Sequence, residues 1–216
     1  MSFNEMKSGD QVREPYKDVL RWIENTDPSV LLQKHREAET LFRQIGITFA
    51  VYGEGGDTER LIPFDIMPRI FTANEWSKLE RGIKQRARAL NAFLWDVYHR
   101  GEIVRSGRIP AKLVYQNDAY ERAVVGISPS QKVFSHVVGV DMVRTGPDEF
   151  YVLEDNCRTP SGVSYMLENR EIMMRLFPAL FRSNRIMPVD NYPSLLRKTL
   201  KSVAPPLCEQ EPTVVV

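Results

Sequence analysis

Apolar residues recur along this chain with two different periods, and the switches between them mark the elements. After a polar stretch at residues 1–13, Pro15–Glu24 reads as a short helix. Asp27-Pro28 then supplies an N-cap followed by Pro at the first helical position. Leu31, Leu32, Ala38, Leu41, Phe42 and Ile45 fall on one face of that helix, and Gly46 closes it. Ile47–Tyr52 and Arg60–Phe64 read as a hairpin around the turn Gly53–Asp57. Thr72-Ala73-Asn74-Glu75 is a capping box opening a long helix toward Tyr98, with Gly101 as its stop. Its apolar stripe is Trp76, Leu79, Ile83, Leu90, Phe93, Leu94 and Val97. One helical turn is expected around Pro110–Val114, a strand at Ala123–Ile127, and a second hairpin from Val133–Val143 and Glu149–Asp155. A helix starting at Gly162 or Ser164 ends before Pro178, and Leu195–Val203 forms a last one. Strands interleaved with helices place the chain in the α/β or α+β class.

The second hairpin carries the candidate chemistry. Asp141 sits late in its first strand, and the second ends in Glu154-Asp155-Asn156. Side chains of a strand alternate between faces, so Glu154 and Asn156 share one face and Asp155 points the other way. If the strands pair, Asp141 joins Glu154 and Asn156 at one end of a sheet. Three oxygen donors suit a hard cation such as Mg²⁺, which takes one or two carboxylates and leaves positions for water and phosphate. Arg158, if the strand continues, is a fork for phosphate oxygens. The same acidic strings also cap strands and begin turns, so this pattern alone leaves both readings open.

A Pro160-Ser161-Gly162 turn follows the acids. An Asp on one strand, then E-x-N thirteen residues on, then a Pro-Gly turn resembles the metal end of ATP-grasp carboxylate–amine ligases. In most of them this pattern lies near the C-terminus, whereas here it lies before residue 170. That order, with Ile62-Pro63-Phe64-Asp65, Pro68-Arg69, Leu79–Gly82 and Pro160–Arg170, resembles the circularly permuted ATP-grasp family, similar to glutathionylspermidine synthases. The resemblance implies the N-terminal part of a permuted ATP-grasp fold, a mixed sheet flanked by helices. With the polar composition of residues 1–14 read as a disordered N-terminus, it makes 15–204 a metal-binding portion and 205–216 a linker with the first strand of a following unit. It implies ATP and Mg²⁺ as cofactors, Asp141, Glu154 and Asn156 as metal ligands, and Arg158 as the catalytic residue that stabilises the moving phosphoryl group. The backbone N–H groups of Ser161 and Gly162 would receive an anionic oxygen. Many such enzymes place an Arg two residues before the metal Asp. Gly139 stands there, so that Arg must come from elsewhere, Arg158 or Arg69. The implied activity is ligation of a small-molecule or peptide carboxylate to an amine or thiol through an acyl phosphate. The permuted order also implies that the nucleotide-gripping strands would follow Val216, so the chain alone is expected to be inactive. A non-catalytic binding or assembly module keeping the fold is the alternative.

Composition narrows the partners. The 216 residues carry a net charge of +1 and are 43% apolar, so no global field draws the chain to nucleic acid or membrane. Lys78, Arg81, Lys84, Arg86 and Arg88 make a basic run, but Glu75, Glu80 and Asp96 interrupt it. No apolar run approaches the ~20 residues of a membrane span, and no secretory h-region is visible. Cys157 and Cys208 show no disulfide framework, zinc spacing or Cys–His pairing, and a cytoplasmic location is expected.

Overall fold

The computed structural model describes residues 3–46, 48–51, 58–205, 207, 208, 212 and 213. The chain opens with a minimal hairpin of β1 (Lys7–Ser8) and β2 (Gln11–Val12), where composition suggested no fixed structure. Next come α1 (Lys17–Glu24) and α2 (Pro28–Ile45), then β3 (Thr48–Val51) paired antiparallel with β4 (Thr58–Leu61). The expected turn at Gly53–Asp57 lies outside the described residues, as does the Val214–Val216 end of the β-branched tail. The long α3 (Ala73–Tyr98) leads to two short helices, α4 (Glu102–Arg105) and α5 (Ala111–Tyr115). The second hairpin, β5 (Gly139–Arg144) with β6 (Phe150–Asn156), precedes α6 (Val163–Leu176), α7 (Pro178–Ser183) and α8 (Tyr192–Lys201). This is an α+β fold of helices with small two-stranded sheets.

The chain divides into two compact units. The first takes the described parts of Met1–Thr72, Arg144–Phe150 and Ser161–Tyr192. Its core gathers Val19 of α1, Ala38 and Phe42 of α2, Phe64, Ile172, Met173 and Leu176 of α6, and Phe177 and Leu180 around α7. Trp22 meets Phe177 edge-on at 5.0 Å between ring centroids. Asp27 Oδ1 accepts from Ser29 N at 2.8 Å, and Gly46 adopts φ +77°, so both expected ends of α2 are formed. The stripe of α2 is narrower than its sequence pattern, however: Leu32 and Ile45 are exposed.

The tip of the second hairpin also belongs to the first unit. There the Arg144 guanidinium is buried, its side chain 1% exposed, and lies over the rings of Phe3, Phe150 and Phe71 at 5.1, 5.0 and 6.0 Å. It donates to the carbonyls of Gly146 (3.1 Å) and Pro147, which ties the turn to the strand.

The second unit takes Ala73–Val143, Tyr151–Pro160 and the described parts of Pro193–Val216. Val97, Tyr98 and Val114 are its buried centre, with Phe93, Leu94, Tyr120 and Phe134 packed around them. Trp76 at the start of α3 is exposed, against the expected stripe. Two strand expectations are corrected here. Residues 123–127 coil instead of extending: Arg122–Val124 is a 3₁₀ turn, Ile127 N donates back to Val124 O, and Gly126 (φ +78°) donates to Tyr98 O at 2.9 Å. The strand expected from Val133 starts only at Gly139. Asn91 on α3 explains the delay. Its side chain accepts from Phe134 N and Ser135 N (2.8 and 2.9 Å) and donates to Ser135 O (3.0 Å), taking backbone groups that a ladder would need.

Ile172 and Phe42 are the largest fully buried side chains. Ile172→Ala is expected to destabilise the chain by about 2–5 kcal/mol, read as a lower urea midpoint with an unchanged slope. Leu32→Ala, on the exposed side of α2, should change it by less than about 0.5 kcal/mol.

Candidate functional site

The hairpin base places the three predicted oxygen donors on one face. Two observations fix the face of β6. Asn156 Nδ2 donates to Glu154 Oε1 at 3.0 Å, so these side chains lie together. Asp155 points the other way, into a bidentate pair with Arg86 on α3: Arg86 Nε lies 2.7 and 2.9 Å from its two oxygens and Nη2 lies 2.6 Å from Oδ2. The face of β5 follows from Gly139. A methyl group built on it would lie 3.5 Å from Asn156 Cβ, so Gly139 and Asn156 share a face. Asp141, two residues on, shares it by alternation.

A bulge reconciles this base with the hairpin tip. At the tip Thr145 N donates to Glu149 O, but β6 has seven residues against six in β5. The in-out alternation of β6 breaks at Leu153 and Glu154, which are both exposed. One extra residue on β6 turns Glu154 and Asn156 onto the face of Asp141, as β-bulges next to functional sites commonly re-aim side chains.

Asp141, Glu154 and Asn156 are all exposed. Among the described residues no three His, Cys, Asp or Glu side chains gather into a metal-binding group, so a cation here would need the Asn156 amide as its third protein ligand. The all-oxygen set of two carboxylates and one amide fits a hard divalent ion that keeps water or phosphate ligands.

Arg158 does not extend the face. β6 ends at Asn156, and Arg158 sits on a bend beyond it with its side chain exposed. Ser161 and Gly162 belong to the first unit, where Gly162 (φ +96°) is the N-cap of α6 and its carbonyl accepts from Met166 N. Arg69, also in the first unit, is paired with Glu5.

Three contributors were not visible in the sequence. Arg86 lies 69 residues before its partner Asp155, within a basic run that reads as solvated surface. Ser135 Oγ donates to Cys157 O at 2.9 Å, holding the chain just past Asn156. Pro160 Cβ would lie 3.1 Å from a methyl group on Gly139, so Pro160 crowds any side chain placed there. Burial, and then the Asp155 charge, push the Cys157 thiol above its ordinary range. A thiol so placed is a poor nucleophile at neutral pH.

Comparison with known proteins identifies the family. The model of the circularly permuted ATP-grasp type 2 family matches residues 68–216. The chain belongs to that family. Among relatives of this permuted ATP-grasp chain, an uncharacterized protein of Synechocystis is 42% identical over 196 residues, covering 91% of this chain and 41% of its own length. An uncharacterized protein of Mycobacterium tuberculosis H37Rv is 43% identical over 217 residues, covering all of this chain and 38% of its own length. A Frankia alni protein named as a candidate glutamate–cysteine ligase is 40% identical over 208 residues, covering 95% of this chain and 24% of its own. The permuted ATP-grasp chain thus spans about two fifths, or less, of the curated relatives it matches. No helix among the described residues is long and apolar enough to cross a membrane.

Gly139→Ala brings a methyl group to 3.1 Å from Pro160 Cβ, so a loss of about 1 kcal/mol of stability is expected as Pro160 gives way, read from a melting curve. Arg86→Gln should speed amide hydrogen exchange at Glu154–Asn156 while leaving the first unit's core protected. Iodoacetamide should alkylate Cys157 more slowly than the exposed Cys208 at pH 7, and the Cys157 rate should keep rising above pH 9.

Proposed function

We propose that this chain is the metal-holding part of an ATP-dependent carboxylate–amine or carboxylate–thiol ligase. The observation that carries the reading is the single exposed face shared by Asp141, Glu154 and Asn156, with Asp155 clamped away from it. Membership of the permuted ATP-grasp family supports it, and so does the name of the Frankia alni relative. Asp141, Glu154 and Asn156 would hold Mg²⁺, which when bound supplies charge neutralisation at the β- and γ-phosphates of ATP. The carboxylates orient that charge. The Asn156 amide adds an oxygen without adding negative charge, which keeps the set open to phosphate. Arg158 is free of the sheet, so its guanidinium can follow a phosphoryl group as it moves to the substrate carboxylate. The N–H groups of Ser161 and Gly162, where α6 begins, would donate to an anionic oxygen. Water must be kept from the acyl phosphate until the amine or thiol attacks, and the exposed face has to be covered during turnover for that to happen.

A second reading has one observation in its favour. Pro160 crowds the position where related enzymes carry an Arg, which would suit a binding or assembly module that keeps the fold without the chemistry.

Mn²⁺, a paramagnetic stand-in for Mg²⁺, should broaden the amide signals of Asp141 and Glu154–Asn156 in the chain. Glu154→Gln and Asp141→Asn should each weaken that effect at least tenfold. Equal broadening in both variants would remove the metal assignment. Stabilisation by ATP that depends on Mg²⁺ separates a nucleotide-binding ligase from a pure scaffold, which should not respond.

A further inference from the structure

Asn156 stands on the exposed acidic face, yet the residues on both sides of it are tied to α3. Asp155, before it, is clamped by Arg86. Cys157, after it, lies past the last residue of β6. Its carbonyl accepts from Ser135 Oγ at 2.9 Å. Ser135 is buried, and its hydroxyl also lies 3.2 Å from Val137 O. Ser135 is fixed in turn from α3. Asn91 Oδ1 accepts from Phe134 N at 2.8 Å and from Ser135 N at 2.9 Å. Asn91 Nδ2 donates to Ser135 O at 3.0 Å and to Ala87 O at 3.1 Å. Two acceptances and two donations fill every hydrogen-bonding position of a primary amide.

The two ties act differently. The Arg86 contact decides which face Asp155 takes, and alternation then puts Glu154 and Asn156 together on the other. It does not settle the direction of the chain after Asp155. Asn156 is the last residue of β6 and is exposed, so packing does little to hold it. The bond from Ser135 to the Cys157 carbonyl fixes the chain one residue further on, and Asn91 makes that bond part of the helix. Arg86 and Asn91 belong to the same α3 (Ala73–Tyr98), so the two anchors keep a set separation with Asn156 between them. Asp141, inside β5 (Gly139–Arg144), lies off this path.

We propose that Asn91 and Ser135 are positioning residues for the Asn156 amide, acting through the carbonyl of Cys157. The inference rests on the metal-holding reading of the acidic face. Of the three donors there, Asn156 is the neutral one. The carboxylates of Asp141 and Glu154 attract a cation over a distance, whereas an amide oxygen contributes only where it is already aimed. A group placed about 1 Å too loosely is lost to such a site. The path from Asn91 therefore governs whether a cation on this face is held by two donors or by three.

Backbone order parameters of the metal-free chain are the first test. In Ser135→Ala the Asn156 amide should fall from about 0.85 to below about 0.6, while Asp141 stays unmoved. Mn²⁺ added to the same chain is the second. Broadening of the Asn156 side-chain amide relative to the Asp141 amide should drop at least threefold in Ser135→Ala. A residue that only supports the fold would loosen Asp141, Glu154 and Asn156 alike, and that result, or an unmoved Asn156, overturns the proposal. No broadening at any of the three in the unaltered chain overturns the metal reading instead, and the order parameters still decide the positioning. If Ser135→Ala does not fold, Asn91→Asp takes its place, since it keeps the acceptor for Phe134 N and Ser135 N and loses the donor to Ser135 O. The Asn156 order parameter should fall there too, and an unmoved value overturns the proposal.

Discussion

The bidentate contact between Arg86 and Asp155 is the constraint on which the candidate site depends. A strand gives each residue one of two faces, and a slip of one residue exchanges them all. Clamping Asp155 to α3 removes that freedom at the base of β6 and sends Glu154 and Asn156 to the opposite side. The contact is directional rather than merely attractive: two nitrogens of one guanidinium meet both oxygens of one carboxylate, and the carboxylate side chain is only 13% exposed. Arg86 itself is largely in water, so the value of the pair lies in orientation more than in stability.

Register adds the second half of the arrangement. Without the extra residue on β6, the ladder that begins at Thr145 and Glu149 would put Asp141 on the face of Leu153 and Asp155. The bulge at Leu153 and Glu154 exchanges the faces below it, so Asp141 shares a face with the other two donors. Gly139 suits this base, because a methyl group there would lie 3.1 Å from Pro160 Cβ.

Much of this was legible in the sequence, and the part that was not has physical reasons. Helix ends were readable because their signals are local: Asp27-Pro28, Gly46 and Gly101 act within one turn of where they stand. The separation of Asp155 from Glu154 and Asn156 was readable because alternation is a property of any strand. Strand extent was not. Residues 123–127 and 133–138 have the β-branched composition of strands, yet Gly126 bends the first and Asn91, more than 40 residues away, captures the backbone of the second. Strand propensity needs a partner edge, and neither segment finds one. Exposure failed in the same way for Leu32, Ile45 and Trp76, whose helical phase is right for a stripe wider than the one actually covered.

The exposure of the three donors bears on what they do. Acids retained for stability are expected to end in ion pairs or caps, as Asp155 and Asp27 do. Glu154 instead accepts from the amide of Asn156, a bond that uses one amide hydrogen and one carboxylate oxygen. Asp141 and Glu154 put two negative charges on the same exposed face, a cost that a cation bound there would relieve. The clamp and the register bring the three to one exposed face, which is the arrangement the proposed cation site would require.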